Sequence, residues 1–239
     1  MSGAVAGMML STVVSSSTPI VPTFTNGSFE DGNFSYNAST DLWEMPGWAI
    51  GNTAQVWLNG VSTIQGWPTP TDPNPTPYLS PGERTGSPMT YNFELQTTGL
   101  PPGSAYPPDR SCRLYSDGQV SAPYGIVNGP YLASTTAVSL NNGDTASFWW
   151  KAENGSDAYN IIAYLLNIAT GGTIILVRAV TSLPGETTPW LQVTKTFNTG
   201  AGDIPGNYKF VFVSGSYDAT GGQALGASLY VTDIMVTKA

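Results

Sequence analysis

Tyr208–Val213 is almost wholly apolar on both sides: Tyr208, Phe210 and Phe212 alternate with Lys209, Val211 and Val213. Side chains of a strand point alternately to opposite faces, so this run wants cover on each. It suits the inside of a packed sandwich, not a solvated edge. A second apolar run, Leu229–Val236, follows across the Gly-rich Ser214–Ser228. Gly215, Gly221, Gly222 and Gly226 there permit positive φ or a close backbone approach. The two runs predict a terminal ladder closing an all-β body.

Charge supports that reading. Only 10% of the 239 residues are charged, too few to clothe the outer faces of solvated helices. Turn signals recur along the chain: Asn26-Gly27, Asp31-Gly32, Asp117-Gly118, Asn141-Asn142-Gly143-Asp144 and Ala169-Thr170-Gly171-Gly172. Between them lie short β-rich runs: Ile20–Phe24, Met89–Gln96, Cys112–Tyr115, Tyr131–Leu140, Thr145–Lys151, Ala158–Asn167, Thr173–Val180 and Leu191–Phe197. Three pairings are expected. Tyr131–Leu140 pairs with Thr145–Lys151, Ala158–Asn167 with Thr173–Val180, and Leu191–Phe197 with Tyr208–Val213. The spacing predicts one β-sandwich domain of about ten strands over residues 19–239.

Two stretches fall outside this pattern. Met1–Thr18 is rich in Val5, Met8, Met9, Leu10, Val13 and Val14, and no charged residue precedes Glu30. Its hydroxyl residues interrupt any membrane span and it lacks the basic start of a signal peptide. The expectation is an arm that docks on a neighbouring subunit, with a disordered tail as the alternative. Gly66–Pro88 is dense in proline, which removes ladder donors and forces extended or turned backbone. It reads as a long surface insertion carrying Trp67 and Tyr78.

The motif Thr25-Asn-Gly-Ser-Phe-Glu-Asp-Gly32 followed by Pro46-Gly47-Trp48 resembles the opening of galactose-binding-like jelly rolls, a group with many carbohydrate-binding modules. The stretch Leu140–Thr237, including Trp190 ahead of a strand, resembles a domain of tailed-phage virion proteins and bacterial surface adhesins. The resemblance implies a jelly-roll sandwich. It also implies a structural calcium ion held between Glu30 and Asp233, and therefore neighbouring N- and C-terminal strands.

The absence of histidine removes Ser-His-Asp and Cys-His mechanisms and imidazole-ligated zinc. A carboxylate pair is the remaining hydrolytic option, with Glu44, Glu83, Glu94, Asp109, Asp117, Glu153, Asp157 and Asp218 as candidates. Most sit in turn-like settings, so a non-enzymatic protein is expected. A net charge of −8 without a basic cluster argues against nucleic acid. The lone Cys112 excludes an intrachain disulfide and fits assembly in a reducing compartment.

Two functions follow as expectations. One is a homo-oligomeric virion structural protein, a capsid decoration or fibre subunit docked on other virion proteins and touching host polysaccharide, without membrane insertion. The other is a secreted, lectin-like carbohydrate-binding module. Trp43, Trp57, Trp67 and Tyr78 are the expected glycan or partner contacts, with packing preferred for Trp48 and Trp57.

Overall fold

The computed structural model describes residues 24–40, 42–58, 61–65, 90–102, 110–117, 126–153, 158–180, 185–217 and 227–239. They build two antiparallel sheets packed face to face as a jelly-roll sandwich. The first half of the chain supplies β1 (Ser35–Asn37), β2 (Leu42–Met45), β3 (Trp48–Leu58), β4 (Val61–Gln65), β5 (Thr90–Gln96), β6 (Ser111–Asp117) and β7 (Ile126–Ser134). The second half supplies β8 (Val138–Leu140), β9 (Thr145–Glu153), β10 (Ala158–Asn167), β11 (Thr173–Val180), β12 (Leu191–Thr196), β13 (Gly206–Tyr217) and β14 (Ser228–Thr237). A nine-stranded sheet runs β1-β2-β3-β7-β13-β10-β11, with β4 on β3 and β8 on β13. The five-stranded sheet runs β12-β9-β14-β6-β5.

The core between the sheets follows from alternation. On β13, Tyr208, Phe210 and Phe212 point inward, and from β9 Phe148 and Trp150 meet them with Ala146 and Ala152 between. Phe148 sits edge-on to Phe212 at 5.0 Å, a favoured arrangement of ring quadrupoles. Val211 and Val213 belong to a second buried cluster on the other side of the same strand. The two-sided burial expected for this run is what the structure has.

Several expected pairings differ. β13 and β14 lie in opposite sheets, so they face each other across the core and form no ladder. The Asn141–Asp144 turn is an arch between sheets: β8 pairs with β13, and β9 with β12 and β14. Its reversal is local, through Asp144 N–H donating to the Asn141 carbonyl and Gly143 at φ 90°. Its destination is set elsewhere, because Gly143 N–H donates to Phe197 O and Phe197 N–H to Asp144 O. Leu191–Phe197 pairs with β9 instead of Tyr208–Val213. Only β10–β11 forms as the expected hairpin.

Tyr131–Leu140 is interrupted after Ser134, where Thr135 N–H turns aside to the Gly47 carbonyl. Residues 35–65, unassigned by pattern apart from their aromatics, contain four strands. Of the expected strand Ile20–Phe24, only Phe24 is described, and it is a bend packed on Trp48 and Phe210.

Candidate functional site

The opening motif is a structural clamp. Asn26 at φ 57° donates from Nδ2 to the carbonyls of Asp31 and Pro46 and accepts the Asp31 N–H. Its own carbonyl accepts the Trp48 indole N–H at 2.8 Å. Trp48 is fully buried, as its packing role requires. Gly27 lies against β14 so tightly that a Cβ there would stand 2.0 Å from the Ile234 carbonyl oxygen. Ile234 N–H donates back to Gly27 O. Asn-Gly is therefore needed for a left-handed turn and a backbone-to-backbone approach.

That clamp links Glu30 and Asp233 through Ser28. Asp233 is buried at φ 51°, inside the register shift of β14 between Thr232 and Met235. Its Oδ1 accepts from Ser28 Oγ at 2.9 Å, while Glu30 Oε2 accepts the Ser28 N–H at 3.1 Å. Gly27 and Ser28 of the motif touch β14, but the ladder neighbours of β14 are β9 and β6, and the expected N-terminal strand, apart from Phe24, lies outside the described residues. Ser28 holds both carboxylates with its own donors. Among the described residues no group of three or more His, Cys, Asp or Glu converges. Calcium there would need backbone and hydroxyl oxygens to complete its shell.

Of the expected contact aromatics, only Trp43 has a described side chain. It is half-buried, stacks edge-on against Phe93 at 5.2 Å and tilts over the exposed Tyr36 at 5.6 Å. With Phe34 it closes the edge between β1 and β5, a packing role. The Trp57 side chain, Trp67, Tyr78, Gly66–Pro88 and the arm residues Val5, Met8, Met9, Leu10, Val13 and Val14 lie outside the described residues.

The richest constellation is one the sequence reading missed. On the outer face of the five-stranded sheet, register aligns Glu94 (β5), Arg113 (β6), Tyr230 (β14) and Lys151 (β9) in one cross-strand row. Trp190, just before β12, extends it. The next row places Asn92, Tyr115, Ser228 and Glu153 side by side. Trp149 stands half-buried beside Lys151 on the same face.

These groups interlock. Arg113 donates to Glu94 Oε1 at 3.0 Å and to Ser228 Oγ, and its guanidinium lies 4.2 Å from the Tyr115 ring centre. Gln96 donates to the same Glu94 oxygen. Lys151 Nζ sits 4.1 Å over the Tyr230 ring and pairs with Glu153 at 2.7 Å. Tyr230 OH donates to Glu153 Oε2 at 2.9 Å, and Trp190 Nε1 donates to Gly99 O at 2.7 Å.

Burial opposes the charge on Glu153, but hydrogen bonds from Lys151 and Tyr230 outweigh it and lower the carboxylate's pKa. Burial first, then the bond to Glu153, pushes Tyr230 up to about 12. The face thus carries fixed, oppositely charged hydrogen-bonding groups between aromatic rings.

Glu94 and Glu153 are the two carboxylate candidates that share this face. Three strand spacings separate β5 from β9, about 14 Å. Glycoside hydrolysis places its pair within about 10 Å, and Arg113 and Tyr230 stand between these two. Cys112 is buried in the core, where desolvation pushes its thiol pKa far up and leaves it an inert packing group.

The missed residues did leave a signal. Alternation in Ser147-Phe-Trp-Trp-Lys-Ala-Glu153 puts Ser147, Trp149, Lys151 and Glu153 on one face, and Asn92, Glu94 and Gln96 form the polar side of β5. Which strands lie side by side was not legible from either run.

No known family model matches this chain, and no curated protein matches it. Solved structures do. One is the N-terminal cellulose-binding domain of Cellulomonas fimi β-1,4-glucanase C, 18% identical, covering 53% of this chain and 79% of that one at TM-score 0.30. Another is a Stig cyclase from Fischerella sp. TAU, 14% identical, covering 88% and 96% at TM-score 0.39. A third is the enzymatically active domain of tailspike protein 4 of bacteriophage CBA120, 12% identical, covering 92% of this chain but 22% of that one at TM-score 0.37. The functional reading rests on the site itself.

Proposed function

We propose that this chain is a non-enzymatic carbohydrate-binding sandwich that holds a polysaccharide across the outer face of its five-stranded sheet. The observation that carries the reading is the row Glu94–Arg113–Tyr230–Lys151–Trp190, flanked by Tyr115 and Trp149. Sugars present an apolar ring face edged by hydroxyls. Rings rigidly placed between charged donors and acceptors suit both at once, at small entropic cost. The row spans four strand spacings, about 19 Å, so an extended chain fits it better than a single sugar.

The test is binding to a panel of soluble and insoluble polysaccharides, with Trp149→Ala and Tyr115→Ala as variants. Wild type should bind at least one polymer, and each variant should weaken binding about tenfold or more while keeping the wild-type circular dichroism. Absence of binding across the panel, or undiminished binding by both variants, would sink the proposal.

A finer reading, display on a virion or cell surface with this face toward host polysaccharide, draws on the resemblance of Leu140–Thr237 to virion and adhesin domains. Labelled antibody against this chain should then decorate purified particles at stoichiometric density. The resemblance of the opening motif to galactose-binding-like jelly rolls supports calcium between Glu30 and Asp233, where Ser28 already joins the carboxylates. Calcium would hold the clamp closed by bridging them, and EGTA should lower Tm in wild type and not in Asp233→Asn.

A further inference from the structure

A pocket of about 130 Å³, open on one side, lies at one end of the sandwich. Asn167 and Thr170 of the β10–β11 turn form one rim, and Asp203 and Ile204, between β12 and β13, form the other. Ile174 of β11 and Tyr208 of β13 close the space between them. The pocket shares no residue with the polar outer face of the five-stranded sheet.

Short-range hydrogen bonds hold both rims in place. Asn167 Oδ1 accepts the Ala169 N–H at 2.9 Å and the Thr170 N–H at 3.1 Å, an Asx turn that fixes the reversal after β10. Gly172 N–H donates to Thr170 Oγ1 at 3.1 Å. On the opposite rim, Asp203 Oδ2 accepts the Asn198 N–H at 2.9 Å and pairs with the Lys195 ammonium at 2.6 Å. Tyr208 OH donates to the Ile204 carbonyl.

Each rim keeps one polar atom uncommitted. Among the described residues Asn167 Nδ2 has no acceptor and Asp203 Oδ1 no donor, although Asn167 retains only 3% of its surface and the Asp203 side chain 11%. Polar atoms held this deep ordinarily find partners. Burial opposes ionisation of Asp203, but the hydrogen bonds from Lys195 and the Asn198 N–H prevail and lower its pKa. Lys195 already balances that charge, so Oδ1 offers an acceptor for a hydroxyl and not a seat for a cation. Ile174, Ile204 and Tyr208 supply apolar wall between the donor and the acceptor.

Size narrows the ligand further. An apolar cavity of about 150 Å³ holds one benzene ring, so this pocket admits one six-membered ring and little more. A ring that offers hydroxyls at its edge and carbon on its faces matches both kinds of wall. We propose that the pocket is a second binding site that takes a single uncharged sugar ring. Its hydroxyls donate to Asp203 Oδ1 and accept from Asn167 Nδ2, with its carbon skeleton against Ile174 and Ile204. The site takes a monosaccharide or a chain end, and it stands apart from the sheet-face reading.

The experiment follows the amide resonances of the full, isotope-labelled chain while methyl glycopyranosides of glucose, galactose, mannose and fucose are added singly. At least one should shift the Thr170, Gly172 and Asp203 amides and saturate with a Kd on the order of 1–10 mM, as so small a ligand allows. Asn167→Asp keeps the acceptor of the turn and removes the amide donor, and Ile204→Ala removes a wall that is 60% exposed. Each should weaken binding about fivefold or more with unchanged circular dichroism. If Asn167→Asp does not fold, Ile204→Ala alone decides. Absence of shifts at these amides with every glycoside, shifts confined to Trp149, Lys151 and Tyr230, or an unchanged Kd in every folded variant would overturn the proposal. Polymer binding on the five-stranded face should survive Ile204→Ala, so the two readings fail separately.

Discussion

The two outer faces of this sandwich are built on the same backbone geometry and are filled by opposite chemistry. Ser228 and Tyr230 at the centre of one are buried under charged partners, while the other is filled by apolar side chains. On the five-stranded sheet, β9 reads Ser147, Trp149, Lys151 and Glu153 outward and Ala146, Phe148, Trp150 and Ala152 inward. On the nine-stranded sheet, β13 and β10 are apolar on both sides, and both sides are buried. Alternation with one wet side leaves positions free to carry rings and charges whose arrangement costs the core nothing. A strand apolar on both sides spends its outer positions on packing. Polar networks and apolar packing are thereby segregated to opposite faces of one molecule.

A charge placed on each face measures that difference most sharply. Val213→Asp puts an unpaired carboxylate into the buried outer patch and should cost about 4 kcal/mol or more, enough to prevent folding in a marginal domain. Thr194→Asp, on the exposed outer side of β12, should change stability by less than about 0.5 kcal/mol. Denaturant titration of the two variants checks it. A similar cost at both positions would mean that the nine-stranded face is as wet as its counterpart.

Gly51→Ala probes the same patch more gently. A Cβ there would meet the Tyr131 ring at 2.7 Å and Leu42 Cδ2 at 2.9 Å. The ring must shift, at about 1–3 kcal/mol. Thermal melts should show the loss, and a Tyr131→Leu background should relieve it.

Acid should act through charged groups away from that patch. Asp144 is nearly buried in the arch. Burial raises its pKa, but hydrogen bonds from Lys238 and from the Asn141 and Ala239 N–H groups prevail and lower it. Glu153 and Asp203 are lowered in the same way by Lys151 with Tyr230, and by Lys195 with the Asn198 N–H. A carboxylate whose folded pKa is depressed stabilises the fold above its unfolded pKa and loses that contribution as pH falls through the folded value. Tm should therefore decline below about pH 4. Asp144→Asn should be less stable than wild type at pH 7, and the gap should shrink as the pH falls toward 2.

Lys209 carries the opposite sign and the smallest effect. Its folded pKa is depressed by burial, so the unfolded chain binds its proton more readily. Its contribution to stability rises as pH climbs through the folded value toward the unfolded one. Lys209→Met should raise Tm by about 1–3 °C at neutral pH and by less at pH 11. A fall in Tm would mean that the ammonium is well solvated or paired.

How much could be read beforehand differs by level. The all-β class, the two-sided burial of Tyr208–Val213, the β10–β11 hairpin and the buried Trp48 were legible, because period-two alternation and turn chemistry are properties of contiguous residues. The contact of the opening motif with β14, through Gly27 and Ser28, was hinted at by the resemblance of that motif. The Asn141–Asp144 turn was visible as a reversal, yet its strands go to different sheets, because a turn sets direction and not the identity of the hydrogen-bonding neighbour. Trp43 was read as a contact residue from its type alone; its packing on Phe93 and Tyr36, between β1 and β5, was not legible.

The chain's own order of residues determined which positions alternate, where the backbone must reverse, and that histidine chemistry is absent. Only the tertiary structure decided that Glu94, Arg113, Tyr230, Lys151 and Trp190, spread over almost a hundred and forty residues, stand shoulder to shoulder. Hydrogen bonding between strands is blind to sequence distance, so which strands become neighbours is settled by how two whole sheets bury their apolar sides together.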